Sequence, residues 1–106
     1  SSVLKEVYLE DCSCRMWNLS NATMKTVGFN RCDCTSAVFS MWDRKNLSFY
    51  ESRFSGCNFF KTPLKDIDFS TCSIDGLMLS GEELKGAVIA AHQAQELVGL
   101  LGVKVK

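Results

Sequence analysis

An apolar residue recurs at nearly every fifth position of this chain, and this period restricts the possible fold more than any other feature. From Leu4 to Ile89 in steps of five, seventeen of the eighteen residues are apolar when Cys is counted, and Arg44 is the exception. With an apolar content of 46%, chance alone would give about eight. A helix repeats every 3.6 residues and a strand every 2, so neither element alone explains the period.

A second, smaller apolar column lies two residues before the first, as at Val7, Val27 and Ile67, and its polar members include Ser52 and Thr62. Two inward side chains per five residues fit a short extended piece followed by a polar corner. Four such pieces would close a square coil of twenty residues, and the coils would stack at about 4.8 Å. The period therefore predicts a solenoid of about four coils whose inward side chains form vertical columns.

The same pattern resembles that of the pentapeptide-repeat proteins, in which a central Leu or Phe follows a small residue two positions earlier. Segments that carry the resemblance are Cys57-Asn58-Phe59, Ile67-Asp68-Phe69-Ser70 and Cys72-Ser73-Ile74-Asp75-Gly76. It covers about 1–89, and departures are Trp17, Trp42 and Arg44. It implies an all-β solenoid, namely a right-handed quadrilateral parallel β-helix of about four coils with a C-terminal α-helix, as in bacterial members of the family.

Six cysteines invite three interpretations: core packing, a metal site or disulfides. Cys12-Ser13-Cys14 and Cys32-Asp33-Cys34 resemble two halves of a four-thiolate zinc site. However, the two pairs are twenty residues apart, and every cysteine falls on an inward column. A buried free Cys behaves as a small hydrophobe, so we predict core packing, and we expect neither a metal nor a cofactor.

The C-terminal part departs from the repeat, and we divide the chain into a β-helix over 1–89 and a capping segment over 90–106. Ser80-Gly81-Glu82-Glu83-Leu84 predicts a short helical turn, and the region from Ala91 to Leu101 has an apolar stripe at helical spacing. A solenoid end must be covered, and the resemblance implies that this helix also meets its copy in a homodimer. The candidate dimer interface consists of Leu97, Val98, Leu100, Leu101, Val103 and Val105.

Two outward faces are candidate partner surfaces. The first is the lysine column, made of Lys5, Lys25, Lys45 and Lys65, which is either a solvated face or a docking stripe for an acidic partner. The second is an apolar patch, which either binds a partner or packs locally. The patch consists of Val38, Met41, Phe60 and Met78.

The stretch from Met41 to Lys45 is the weakest part of the repeat. A large Trp42 and a charged Arg44 do not both enter a tight core cheaply. We expect a local bulge with Arg44 turned outward, and a functional loop at Trp42 and Arg44 is the alternative.

The overall charge and the polar residues argue against catalysis and against direct nucleic-acid binding. Twelve basic residues balance twelve acidic ones, whereas nucleic-acid binding requires a basic surplus. The single histidine, His92, lies at the start of the predicted cap, and no paired carboxylate site or phosphate-binding Gly motif is evident. No apolar run has the length of a membrane span. We therefore expect a cytoplasmic protein that is not an enzyme.

The main hypothesis is a non-enzymatic protein-binding or scaffold module with an unknown partner. The alternative comes from the resemblance: some family members mimic B-form DNA, bind type II topoisomerases and protect them from quinolones. Mimicry needs a strongly negative surface, but Glu10, Asp11, Glu51 and Asp68 give only a modest acidic face. The chain starts in register at Ser1 without a visible cap, so we expect either preceding coils or another cover there.

Overall fold

Three parallel strands of equal length, each twenty residues after the previous one, organise the N-terminal half of the protein. The computed structural model describes residues 3–40 and 43–100, apart from the side chain of Leu100. The strands are β1 (Val3–Glu10), β2 (Thr23–Asn30) and β3 (Asp43–Tyr50), and they form one sheet in the order β1-β2-β3. The predicted twenty-residue repeat is therefore confirmed in this sheet.

Shorter parallel bridges continue the same offset of twenty on two further sides of the coil. One series joins Ser13, Asp33, Arg53 and Ser73, and the next joins Asn18, Val38, Asn58 and Met78. A last bridge joins Asp68 to Val88. Closure of the coil into a square and the number of coils stay predictions.

Almost every coil corner has one residue in the left-handed backbone region, two positions after a central residue. Eleven of these residues are not glycine. They are Glu6, Asp11, Met16, Asn21, Thr26, Arg31, Ser36, Asn46, Glu51, Lys61 and Asp66. A left-handed φ costs an L-residue roughly 1–2 kcal/mol, so the stacked coils hold these corners against their local preference.

The core consists of the two predicted inward columns. Phe29, Phe39, Phe54, Phe59 and Phe69 are fully buried. The Phe39 and Phe59 rings, one coil apart, are stacked with centroids 5.1 Å apart, and the Phe49 and Phe69 centroids are 5.4 Å apart. The predicted aromatic columns are therefore confirmed.

Trp17 differs from this arrangement. It falls on the small inward column in sequence, but its side chain is 40% exposed. The same column holds Ala37 and Cys57 in the next two coils, and both are fully buried. A space lined by residues of that size does not accommodate an indole ring.

The cysteines pack in the core, as predicted. Cys14, Cys32, Cys34, Cys57 and Cys72 are buried, Cys12 is half-buried, and all six are free. Burial raises the pKa of the Cys14 thiol to about 11 and that of the Cys57 thiol to about 12. These thiols therefore remain protonated at neutral pH.

The polar members of the small column have a structural role. The hydroxyl of Ser52 is within donor distance of the Tyr50 (3.0 Å) and Phe29 (3.3 Å) carbonyls. The hydroxyl of Thr62 donates to the Phe39 carbonyl (3.0 Å). The thiol of Cys57 donates similarly to the Cys34 carbonyl, again twenty-three residues earlier. A small side chain with a donor therefore adds a hydrogen bond to a carbonyl of the preceding coil.

The C-terminal part packs against the preceding coil. Two 3₁₀ helices, Glu82–Leu84 and Ala91–Gln93, precede helix α1 (Ala94–Leu100). The buried amide of Gln93 donates to the carbonyls of Phe69 (2.8 Å) and Cys72 (2.7 Å). Among the described residues, none of the helices combines the length and apolar character needed to cross a bilayer.

Candidate interaction surfaces

An apolar groove lies on the side of the coil that contains Val38. It has a volume of about 560 Å³. The lining residues are Ser40, Asn58, Phe60, Lys61, Met78 and Leu79. Phe60 is 46% exposed and Met78 is 57% exposed, whereas Val38 is half-buried. We call this site the Phe60 groove, and it brings together two members of the predicted apolar patch.

Local bonds hold the Phe60 side of the groove in place. The Asn58 side chain accepts a hydrogen bond from the Phe60 backbone N–H (2.9 Å), which fixes the turn that carries the ring. The Lys61 ammonium nitrogen lies 5.9 Å from the ring centroid, within the range of a cation–π contact. Met41, the fourth residue of the predicted patch, lies outside the described residues.

The lysine column is a continuous vertical row. Lys5, Lys25 and Lys45 are direct partners in the sheet, and all four lysines are exposed. The structure adds Lys85, because the Asp66 N–H donates to the Gly86 carbonyl (2.9 Å) and so brings the next coil beside Lys65. Sequence reasoning missed Lys85, although it lies twenty residues after Lys65 and the repeat could have predicted it.

Arg44 lies in the regular strand β3, and the predicted bulge is absent where β3 pairs with β2, so that prediction is wrong there. It pairs with Met24 in the same register as its neighbours. The guanidinium instead leaves the core toward the following coil, where Nε donates to the Pro63 carbonyl (3.1 Å) and a terminal nitrogen donates to the Lys65 carbonyl (2.6 Å). Trp42, the other residue of the predicted loop, lies outside the described residues.

The irregularity lies between β3 and residues 63–70, a boundary that we call the seam. β3 is the edge of the three-stranded sheet, and residues 63–70 do not continue the sheet as a strand. Pro63 has no N–H to contribute to a ladder. At the corner, the Glu51 N–H donates to the Thr71 hydroxyl (2.9 Å), whereas the equivalent Arg31 N–H donates to the Tyr50 carbonyl. Side chains of Arg44 and Thr71 therefore contribute hydrogen bonds across the seam.

Two of the acidic residues are paired with arginines. Asp11 is paired with Arg31 (Nε to Oδ1, 2.9 Å), and the bond from Arg31 lowers the pKa of this carboxyl. Asp33 is similarly paired with Arg15 at 3.1 Å. These pairs neutralise charges that a DNA-like surface would require.

The predicted dimer residues are only partly described. Leu97 is 8% exposed and belongs to the core of its own chain, whereas Val98 is half-buried. The side chain of Leu100 and the whole of Leu101, Val103 and Val105 lie outside the described residues.

Sequence reasoning missed one polar centre, which is formed by Glu83. We predicted a helical turn here, and the turn exists, but the Glu83 carboxylate is buried. It accepts hydrogen bonds from the backbone N–H groups of Lys61, Ser80 and Gly81. The sequence gives no clear signal for this centre, because Lys61 comes from the preceding coil.

Parallel strands at an offset of twenty, with an inward residue at every fifth position, define the fold of the pentapeptide-repeat proteins. The structure is similar to that of a trypsin-treated variant of QnrB1, a plasmid-mediated fluoroquinolone resistance protein, with a TM-score of 0.53 and 17% sequence identity. The match covers 98% of this chain and 70% of that chain. At this identity the similarity shows a shared fold, the right-handed β-helix, and confirms the resemblance at that level.

A second trypsin-treated variant of QnrB1 matches with a TM-score of 0.36 and 13% identity, over 98% of this chain and 90% of that chain. That TM-score is too low to support a common arrangement. No protein-family model matches the sequence, and no curated protein sequence matches it.

Proposed function

We propose that this protein is a non-enzymatic binding module that presents the Phe60 groove to a partner protein. The observation that carries the proposal is the exposure of two large apolar side chains, Phe60 and Met78, around one groove. Because each side chain is already about half buried, completing its burial in an interface would contribute about 1 kcal/mol. The rigid β-helix would hold both in place, so little ordering would oppose binding.

The polar residues of the described structure also favour binding over catalysis. His92 is exposed, and the raised pKa values of Cys14 and Cys57 disfavour the thiolate that a nucleophile requires. The strongest pKa shift of a carboxyl is that of Glu83, whose oxygens are occupied by structural hydrogen bonds.

Affinity capture from the source cell tests the proposal. The double variant Phe60→Ser, Met78→Ser should lose the partner that the wild-type protein captures. A matched control is Tyr50→Ser, Val88→Ser, which removes exposed apolar side chains outside the groove and should retain the partner. Equal capture by all three proteins would contradict the assignment of the groove.

The proposal includes a cytoplasmic homodimer joined at the C-terminal helix, on a right-handed quadrilateral β-helix of about four coils. Because Leu97 packs in its own core, the contact would rest on Val98, Leu100, Leu101, Val103 and Val105. Light scattering should give the mass of a dimer, and a monomer that persists at high concentration would refute this part.

A second candidate function is quinolone protection through a type II topoisomerase. It is favoured by the fold shared with a fluoroquinolone resistance protein and disfavoured by the paired acids and the lysine column. A gyrase supercoiling assay with and without a fluoroquinolone discriminates the two candidates. Rescue of supercoiling would support this candidate, and no effect at micromolar protein would exclude it.

A further inference from the structure

The lysine column, extended by Lys85, stacks five like charges on one outer face. Sheet pairing places Lys5, Lys25 and Lys45 directly above one another. The bond from Leu64 N–H to the Glu83 carbonyl (2.9 Å) and that from Asp66 N–H to the Gly86 carbonyl bring Lys65 and Lys85 together. All five side chains are exposed, and each step of the column is about 4.8 Å.

None of the five lysines forms an ion pair in the described structure. Within residues 3–40 and 43–100, the ion pairs are Arg15–Asp33 and Arg31–Asp11, and neither involves a lysine of the column. Like charges directly opposite each other on neighbouring strands are destabilising, at about 1 kcal/mol for a separation of 4 Å in water. An acidic partner would remove that repulsion when it binds.

The length of the column favours a helix as the acidic element. Four steps of about 4.8 Å give a row of roughly 19 Å. A helix with carboxylates at i, i+4, i+7, i+11 and i+14 presents five charges over about 21 Å. An extended strand presents five same-face charges over about 27 Å, so its register with the lysines would be lost within two steps.

The residues beside the column argue against a nucleic acid. Two positions before each of the first four lysines stand Val3, Thr23, Asp43 and Pro63. None of these is aromatic, whereas single-stranded nucleic acids are held by bases stacked on aromatic rings.

We propose that the lysine column, including Lys85, binds the acidic stripe of an α-helix in a partner protein, with the helix lying along the solenoid axis. This interaction rests on the proposed function as a binding module and specifies the chemistry of a partner element. It uses a different face from the Phe60 groove, so the two surfaces can be tested separately.

The test uses a side-chain-stapled helical peptide of about fifteen residues with Glu at i, i+4, i+7, i+11 and i+14. Fluorescence anisotropy on the full chain should show binding at low ionic strength that weakens as salt is added. Lys25→Gln with Lys45→Gln should lower the affinity about five- to tenfold, since each exposed ion pair contributes modestly. The control variant, Arg15→Gln with Arg53→Gln, removes the same net charge outside the column. We expect it to lower the affinity for the peptide less than about twofold.

Several results would overturn the proposal. The first is an equal loss of peptide affinity in both double variants, and the second is an equal affinity for a stapled peptide whose glutamates are spread around the helix. The third is tighter binding of a single-stranded oligonucleotide than of the peptide, and the fourth is no peptide binding at low salt. The Phe60→Ser, Met78→Ser variant should bind the peptide normally. Loss of cellular capture with retained peptide binding therefore separates failure of the groove from failure of the lysine column.

Discussion

The buried carboxylate of Glu83 gives the sharpest prediction about stability. Its side chain is 5% exposed. Oε1 accepts hydrogen bonds from the backbone N–H groups of Ser80 (3.0 Å) and Gly81 (2.9 Å), and Oε2 accepts one from the Lys61 N–H (2.9 Å). Burial alone would raise the pKa of this carboxyl, but the hydrogen bonds outweigh it and lower the pKa from 4.5 to about 2.

The pKa difference converts into a free energy of unfolding. The lowered pKa corresponds to about 3 kcal/mol of stability at neutral pH, because each pKa unit is 1.36 kcal/mol. Since the folded-state pKa lies below the unfolded-state value, this contribution is fully present above about pH 5 and is lost as the pH falls toward 2. Between pH 7 and pH 3 the loss is about 2 kcal/mol.

Glu83→Gln removes the titrating group and turns an acceptor into a donor that faces N–H groups. Urea unfolding at pH 7 should show destabilisation of about 2–4 kcal/mol. The difference from the wild-type protein should shrink by about 2 kcal/mol at pH 3. Glu82→Gln, at the exposed neighbouring residue, serves as the control and should change stability by less than about 0.5 kcal/mol. A gap between Glu83→Gln and wild type that is the same at both pH values would refute the reasoning.

Three further predictions concern the corners, the small column and the seam. Thr26→Gly should stabilise the protein by about 0.5–1 kcal/mol in urea unfolding, because a β-branched residue is strained in the left-handed region, whereas Thr23→Gly in the same strand should destabilise it. Ser52→Ala should cost about 1–3 kcal/mol, because it leaves the Phe29 carbonyl and the Cys32 N–H without this hydroxyl. Ser52→Cys should cost less, since cysteine already occupies this column in other coils, and equal losses would contradict the hydrogen-bond role. Arg44→Met should accelerate hydrogen exchange at residues 63–70 by about tenfold or more, because the seam loses donors worth about 1.5–3 kcal/mol, and unchanged exchange there would argue against a role for Arg44 in closing the seam.

The period of five predicted the core well, because an inward position depends mainly on spacing. Phe59 and Phe69 are buried, and so are three of the four cysteines that resembled a zinc site, whereas Cys12 is half-buried. Spacing could not show that Trp17 would turn outward, because that depends on the space left by Ala37 and Cys57. The left-handed corners were equally hidden, since residues such as Met16 and Lys61 have no intrinsic preference for that conformation.

The candidate surfaces were predicted in part. The offset of twenty placed Lys5, Lys25 and Lys45 in one row, and the same offset applied to Lys65 yields Lys85. The Phe60 groove could not be predicted from the sequence, because it depends on how Met78 from the following coil lies beside the Phe60 ring. The same holds for the seam, where the Arg44 guanidinium contacts carbonyls of the next coil.

The sequence by itself determined the repeat, the inward columns and the vertical alignment of residues twenty apart, because these follow from the spacing of apolar side chains along one chain. Only the tertiary structure decided where the buried charge of Glu83 is satisfied, which carbonyls the Arg44 guanidinium contacts, and which apolar residues remain exposed. These features depend on hydrogen-bond donors and free space contributed by neighbouring coils. An apolar period indicates which side chains are buried, but it does not indicate which backbone groups surround a given atom.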